Sequence, residues 1–160
     1  YRNWSIENYA AVIGYLESRC HARVVLTGGP SDLEADYGDR LAAGSEATNL
    51  VGQSSLKQLA ALIATADLVI CPDSGPAHMA TALGTSVIGL YASSNPQRTG
   101  PYLSQKYTIN RYPDAIQQYL RRNVADLRWG QRVRHADVMN LIKVDDVVRS
   151  IDIFFDDRGI

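Results

Sequence analysis

Leu68-Val69-Ile70-Cys71-Pro72-Asp73-Ser74-Gly75-Pro76-Ala77-His78-Met79-Ala80-Thr81-Ala82-Leu83 is an apolar run, a polar turn and a second apolar run in direct succession. Leu68-Val69-Ile70 reads as a buried strand and Met79 to Leu83 as a packed helix, so Asp73, Ser74, Gly75 and His78 fall where a strand ends and a helix begins. A helix start leaves backbone N–H groups unpaired, and the helix dipole makes that end positive, which favours a phosphate or another anionic ligand. An acid, a hydroxyl, a glycine and a histidine in so short a stretch read as a sugar–phosphate site. The local alternative is that Asp73 and Ser74 only cap the helix, since both residue types are favoured N-caps. Gly75 allows a ligand close to the backbone, and His78 lies four positions after Ser74 on the first turn; both weigh toward binding.

Outward from this turn the chain alternates helices and strands. Ser5 is an N-cap candidate, with Ile6, Tyr9, Ala10, Ile13 and Leu16 at helical spacing up to about residue 19. Residues 23–27 read as a short strand closed by Gly28-Gly29-Pro30, and Ser31 caps a helix over residues 32–43. Residues 49–51 read as an edge strand, Ser55 caps a third helix, residues 68–71 form a strand, 75–83 a helix and 86–91 another strand. This alternation predicts an α/β fold with a Rossmann-like parallel sheet and helices on both faces. Ligands of such sheets bind at the carboxyl ends of the strands, where the loops 28–32, 73–78 and 92–96 lie. Beyond Pro101 the pattern weakens: residues 106–109 read as one more strand, 114–136 are polar and arginine-rich, and 144–156 form a final helix facing inward through Val147, Val148, Ile151 and Phe155.

Composition narrows the class. The chain has 160 residues, 46% hydrophobic and 21% charged, enough for one globular domain with a real core. Lys+Arg number 16 against 17 Asp+Glu, a net charge of −1, so the basic surplus of a nucleic-acid binder is missing. No apolar run approaches the roughly 18–20 residues of a membrane span. Cys20 and Cys71 lack metal-ligand spacing and read as buried, reduced thiols of a cytosolic protein. The chain opens on Tyr1 without a signal-peptide pattern, and the expectation is a piece of a longer polypeptide, residues 1–160 forming one domain of it.

The remaining polar residues have two readings each. Gly28-Gly29-Pro30 is neither GxGxxG nor a P-loop and serves as a turn on its own evidence. Asp32, in the first helical turn beyond it, suits the dipole or accepts from sugar hydroxyls. Arg2 and Trp4 are either an exposed charge and a hydrophobic staple, or a guanidinium for a diphosphate beside its anchor. Arg121, Arg122, Arg128, Arg132 and Arg134 read first as a solvated surface and second as a face for an anionic acceptor or membrane headgroups. His21 and His135 have no partner by spacing. No Gly-x-Ser-x-Gly elbow is present, and no cluster has Mg²⁺- or Zn²⁺-ligand character.

The run Asn49-Leu50-Val51-Gly52, then Ser55 to Ile63, then Ala66-Asp67 through His78, resembles the ADP-heptose:lipopolysaccharide heptosyltransferases of glycosyltransferase family 9. Residues 80–91, the loop Ser94-Asn95-Pro96 to Thr99-Gly100-Pro101, and Leu26 to Pro30 with acidic Asp32 and Glu34 fit as well; the resemblance covers roughly residues 2–110. It implies the C-terminal, donor-binding half of a GT-B enzyme. Asp73, Ser74, Gly75 and His78 then match the donor-binding D-[ST]-G-x-x-H, and Gly28 the glycine turn. Asp32 matches an acidic position holding donor hydroxyls, Arg2 a basic residue on the diphosphate, and Ser54 the loop against the adenine. The resemblance further implies inverting, metal-independent heptose transfer from ADP-heptose to the lipopolysaccharide inner core, with no cofactor and no nucleic-acid partner. The general base and the acceptor contacts are implied in an N-terminal domain outside these residues, so residues 1–160 alone are expected to bind the nucleotide sugar without turnover. The implied location is the cytoplasm, with room for peripheral contact at the inner membrane. The competing readings are a GT-B-like UDP-sugar epimerase and a non-catalytic nucleotide-sugar-binding module.

Overall fold

A computed structural model of the chain describes residues 2–159, which divide into two compact units, one of residues 5–62 and one of residues 2–4 with 63–159. The smaller unit contains α1 (Ile6–Arg19), β1 (Val25–Leu26), α2 (Asp32–Ala43), β2 (Thr48–Asn49) and most of α3 (Leu56–Thr65). Its helices start where the serines predict. Ser5 Oγ accepts from Asn8 N at 3.2 Å and Ser31 Oγ from Glu34 N at 3.3 Å. Ser55 and Gln58 exchange bonds as a capping box, Ser55 N donating to Gln58 Oε1 at 2.8 Å and Gln58 N to Ser55 Oγ at 3.4 Å. Ile13, Leu41 and Ala47 form the core, with Ile6, Tyr9, Val24 and Leu26 packed against them.

β1 and β2 pair in parallel, Val25 with Thr48 and Leu26 with Asn49. Both are shorter than the expected 23–27 and 49–51. Backbone bonds continue the pairing through Leu50 N to Leu26 O (2.9 Å) and Gly52 N to Gly28 O (3.0 Å), where Gly52, at φ +70°, turns the chain away.

The larger unit holds a three-stranded parallel sheet of order β3 (Leu68–Pro72), β4 (Ser86–Tyr91), β5 (Ile109–Asn110). α4 (Gly75–Leu83) connects β3 to β4, and its C-cap Gly84 takes the left-handed conformation at φ +79°. Register runs from Leu68 opposite Ser86 to Pro72 opposite Leu90, then Leu90 opposite Ile109. Val87, Ile88, Leu90 and Tyr91 are at most 1% exposed, as expected of a central strand covered on both faces. Because all three strands run the same way, their carboxyl ends share one edge. α5 (Pro96–Thr99), α6 (Tyr112–Ala115, continued by a π turn over Ile116–Leu120) and α7 (Val144–Arg158) complete the unit.

Three expectations are corrected here. The last strand is not 106–109: Gln105–Tyr107 form a 3₁₀ turn, because Tyr107 stacks edge-on to Phe154 and its carbonyl accepts from Ser150 Oγ at 2.8 Å. On α7 the inward face is Val147, Ser150, Ile151 and Phe154, while Phe155, one position round the helix, is only half-buried. Cys71 is buried but Cys20, the C-cap of α1, is half-buried, and neither forms a disulfide.

Trp4 ties the start of the chain into the larger unit. It is fully buried and its Nε1 donates to Ile142 O at 3.1 Å. Trp4→Ala is expected to cost about 3–5 kcal/mol in urea unfolding, and Trp4→Phe less, mainly the lost hydrogen bond. At the start of α7, Arg111 forms a bidentate pair with Asp146 (Nη2 to Oδ1 at 2.7 Å, Nε to Oδ2 at 3.2 Å), which also accepts from Lys143 N at 3.1 Å. Burial pushes the Asp146 carboxyl up, but the bonds from Arg111 and Lys143 outweigh it and hold it below its ordinary value. A depressed folded pKa stabilises above the unfolded value, about 3.9, and that stabilisation is lost as pH falls through the folded value. Arg111 is 38% exposed, so solvent screening limits the pair to about 1 kcal/mol. Asp146→Asn is therefore expected to be less stable than wild type at pH 7, with the gap closing below about pH 4 in thermal melts across pH.

Candidate functional site

The carboxyl end of β3 runs into the first turn of α4 through Asp73 and Ser74. Ser74 occupies the N-cap position with extended backbone (φ −153°, ψ 168°), yet its side chain makes no capping bond. Capping by Ser74, the local alternative to ligand binding, is thus not what its hydroxyl does. Its Oγ is buried without a hydrogen-bond partner among the described residues, and so is that of Ser94, a residue 3% exposed in the loop after β4. Buried hydroxyls are ordinarily satisfied. Two orphans at the ends of adjacent parallel strands leave a demand that water or a ligand meets.

Asp73 is 6% exposed and carries two arginines. Arg132 Nη2 approaches its Oδ2 at 3.2 Å, and Arg2 Nη1 donates to its main-chain carbonyl at 3.4 Å. One carboxylate between two guanidiniums leaves the cluster net positive, at the helix end where the dipole is also positive. Asp73 also acts on its neighbours. Burial pushes the Cys71 thiol up to about 12; the Ser74 hydroxyl beside it opposes this, and the Asp73 charge adds to it. Tyr91 is likewise held neutral, by burial first and then by Asp73 and Cys71, while its hydroxyl donates to Thr99 O at 3.0 Å.

Gly75 and His78 are both exposed on the first turn of α4. A Cβ built at Gly75 meets nothing within 4 Å, so the fold itself does not require glycine there. Gly75 is the first residue of α4, at the end where the leading N–H groups of the helix are unpaired.

Arg2, Asp73, Ser74, Gly75 and His78 are all in the larger unit, and there Arg2 touches Asp73 directly. The other expected residues belong to the smaller unit. Asp32 is exposed at the first position of α2. The carboxylate that folds back on the glycine turn is Glu34, whose Oε2 accepts from Gly29 N and lies 3.0 Å from a Cβ built at Gly28. Ser54 is half-buried between Gly52 and the Ser55 cap. The residue that sequence reasoning missed is Arg132. Arg121, Arg122, Arg128 and Arg134 are exposed, as a solvated face requires, but Arg132 pairs with a carboxylate 59 positions away. Its one sequence signal is the neighbouring Val133, an apolar residue within a polar run, which is 1% exposed.

Fold and site together define an α/β protein with an anion-receptive strand-to-helix turn. The family model for "Glycosyltransferase family 9 (heptosyltransferase)" matches residues 1–124, and the chain belongs to that family. It is 36% identical over 149 residues to the lipopolysaccharide core heptosyltransferase OpsX of Haemophilus influenzae, covering 92% of this chain and 43% of that protein. Among solved structures it is similar to a family 9 glycosyl transferase from Veillonella parvula, with TM-score 0.70 and 25% identity over 96% of this chain and 42% of the other. The E. coli ADP-heptose lps heptosyltransferase II shares the fold, with TM-score 0.71 at 22% identity, over 99% of this chain and 44% of the other. The chain therefore spans less than half the length of these relatives.

Because the space at Gly75 is open, Gly75→Ala is expected to leave thermal stability unchanged or slightly raised, since alanine is the better helix former. The same methyl group is expected to weaken pyrophosphate binding several-fold in a titration followed by NMR, by obstructing the helix N–H groups.

Proposed function

We propose that this chain is the donor-binding part of an inverting glycosyltransferase that moves heptose from ADP-heptose to the lipopolysaccharide inner core. The observation that carries the reading is the Asp73–His78 turn, with its uncapped Ser74 and open Gly75, in a chain that belongs to family 9. Similarity to OpsX extends over 149 residues, past the 98 residues matched by the E. coli lipopolysaccharide heptosyltransferase 3, so it supports the reading over nearly the whole chain.

Catalysis in this part is stabilisation of the leaving group. As the bond from the anomeric carbon to the diphosphate breaks, negative charge builds on the phosphate oxygens. The N–H groups at the start of α4, the helix dipole and Arg2 are fixed before the reaction and oppose that charge without reorganising. His78, exposed on the first turn, donates to a phosphate oxygen, and Asp73 and Asp32 accept from hydroxyls of the donor. Gly28 keeps its turn open to the donor, and Ser54 lies against the base. In this scheme no metal is needed, and the base that deprotonates the acceptor hydroxyl comes from the rest of the enzyme, so residues 1–160 bind without turning over. The enzyme works in the cytoplasm, where nucleotide sugars are made, with its acceptor at the membrane face. Among the described residues no helix is long and apolar enough to cross a membrane.

Calorimetric titration with ADP, ADP-heptose and UDP tests this. ADP and ADP-heptose are expected to bind at least about tenfold more tightly than UDP. In the full-length enzyme, His78→Ala is expected to lower kcat/KM for ADP-heptose at least about tenfold, the effect of losing one bond to a charged group. A preference for UDP would favour an epimerase-type donor site and overturn the assignment.

A further inference from the structure

We infer that Arg132 is a second diphosphate-binding residue, held in place by Asp73 and delivered by a strap that crosses the carboxyl ends of the sheet; this rests on the donor-site reading above. The strap is fixed on both sides of the arginine. Gln131 O accepts from Tyr112 Oη at 2.8 Å, and Val133 N donates to Ser93 O, in the loop after β4, at 2.9 Å. Val133 itself is buried. Both anchors leave Arg132 little freedom of backbone position, which a solvating surface arginine does not need. Between them its guanidinium reaches Asp73 through one N–H edge, Nη2 to Oδ2 at 3.2 Å, and the side chain stays 29% exposed. A guanidinium has five N–H donors in a planar fork, so one carboxylate contact leaves donors for a second acceptor.

The charge count points to what that acceptor is. Asp73 is shared between Arg132 on its carboxylate and Arg2 on its carbonyl, so one negative charge faces two positive ones beside the positive end of α4. A neutral sugar leaves this surplus uncompensated. A diphosphate compensates it, and its oxygens match the guanidinium fork. Asp73 is then a positioning residue as well: by taking one edge of Arg132 it sets which edge points outward. Arg132 thus adds a cation to the leaving-group side of the site.

The test is a pair of NMR titrations on the purified chain, one with inorganic pyrophosphate and one with adenosine. Arg132→Gln removes the charge. Arg132→Lys keeps a counter-charge for buried Asp73, and so the fold, but its compact ammonium lacks the planar fork and second edge that hold carboxylate and phosphate together. Pyrophosphate affinity is expected to fall about tenfold or more in Arg132→Gln and about threefold or more in Arg132→Lys, with adenosine affinity within twofold of wild type. If Arg132→Gln does not fold, Arg132→Lys decides alone. Unchanged pyrophosphate affinity in the folded variants, an equal loss of both ligands, or no pyrophosphate binding by wild type overturns the inference. Arg132-dependent pyrophosphate binding without adenosine binding upholds it while overturning the adenine-nucleotide reading; adenosine binding with Arg132-independent pyrophosphate affinity does the reverse.

Discussion

A carboxylate as enclosed as that of Asp73 must be neutralised, and its counter-ion is Arg132, far along the chain. An isolated buried carboxylate costs several kcal/mol, so the folded unit has to bring an arginine to the end of β3. Everything between the two residues is consistent with that demand. β4 and β5 extend the sheet beside β3 in the same direction, α6 supplies Tyr112 to grip the returning loop, and Val133 closes it against the loop after β4. The arginine-rich stretch is thereby divided: four arginines remain in solvent and one pairs with Asp73 at the carboxyl end of β3.

The same edge concentrates polar demand that the protein does not meet by itself. Ser74 is at an N-cap position and does not cap; Ser94 is buried and has no partner among the described residues; Gly75 faces space that a side chain would fit. Elsewhere in the chain the helix starts at Ser5, Ser31 and Ser55 are satisfied within one turn. The contrast with these three satisfied serine caps is what supports reading the Ser74 turn as a ligand site. Local rules are broken where function needs the groups free.

Much of this was legible from residue order alone. The caps, α2 and α4 fall where spacing and cap chemistry place them, because those signals act within four residues. Element edges were less legible. Residues 106–109 read as a strand, yet packing of Tyr107 on Phe154 and the bond from Ser150 draw residues 105–107 into a turn. Phe154 rather than Phe155 enters the core because α7's azimuth is set by Val147 and Ile151, not by the local run of phenylalanines. The acidic position after the glycine turn divided in the same way: Asp32 starts the helix and faces solvent, and Glu34 reaches Gly29.

The sequence by itself determined the α/β alternation, the strand-to-helix turn at Asp73–His78, and the family. All are short-range patterns of apolar spacing, glycine and cap residues, readable wherever the chain lies in space. Only the tertiary structure decided that Trp4 is a buried anchor rather than a staple, that Arg2 therefore rests on the Asp73 carbonyl, and that Arg132 is the partner of its carboxylate. Those pairings join residues 59 to 138 positions apart. They exist because burying a charge or an indole N–H compels a partner, and the order of residues does not say which of many arginines or carbonyls the fold will bring there.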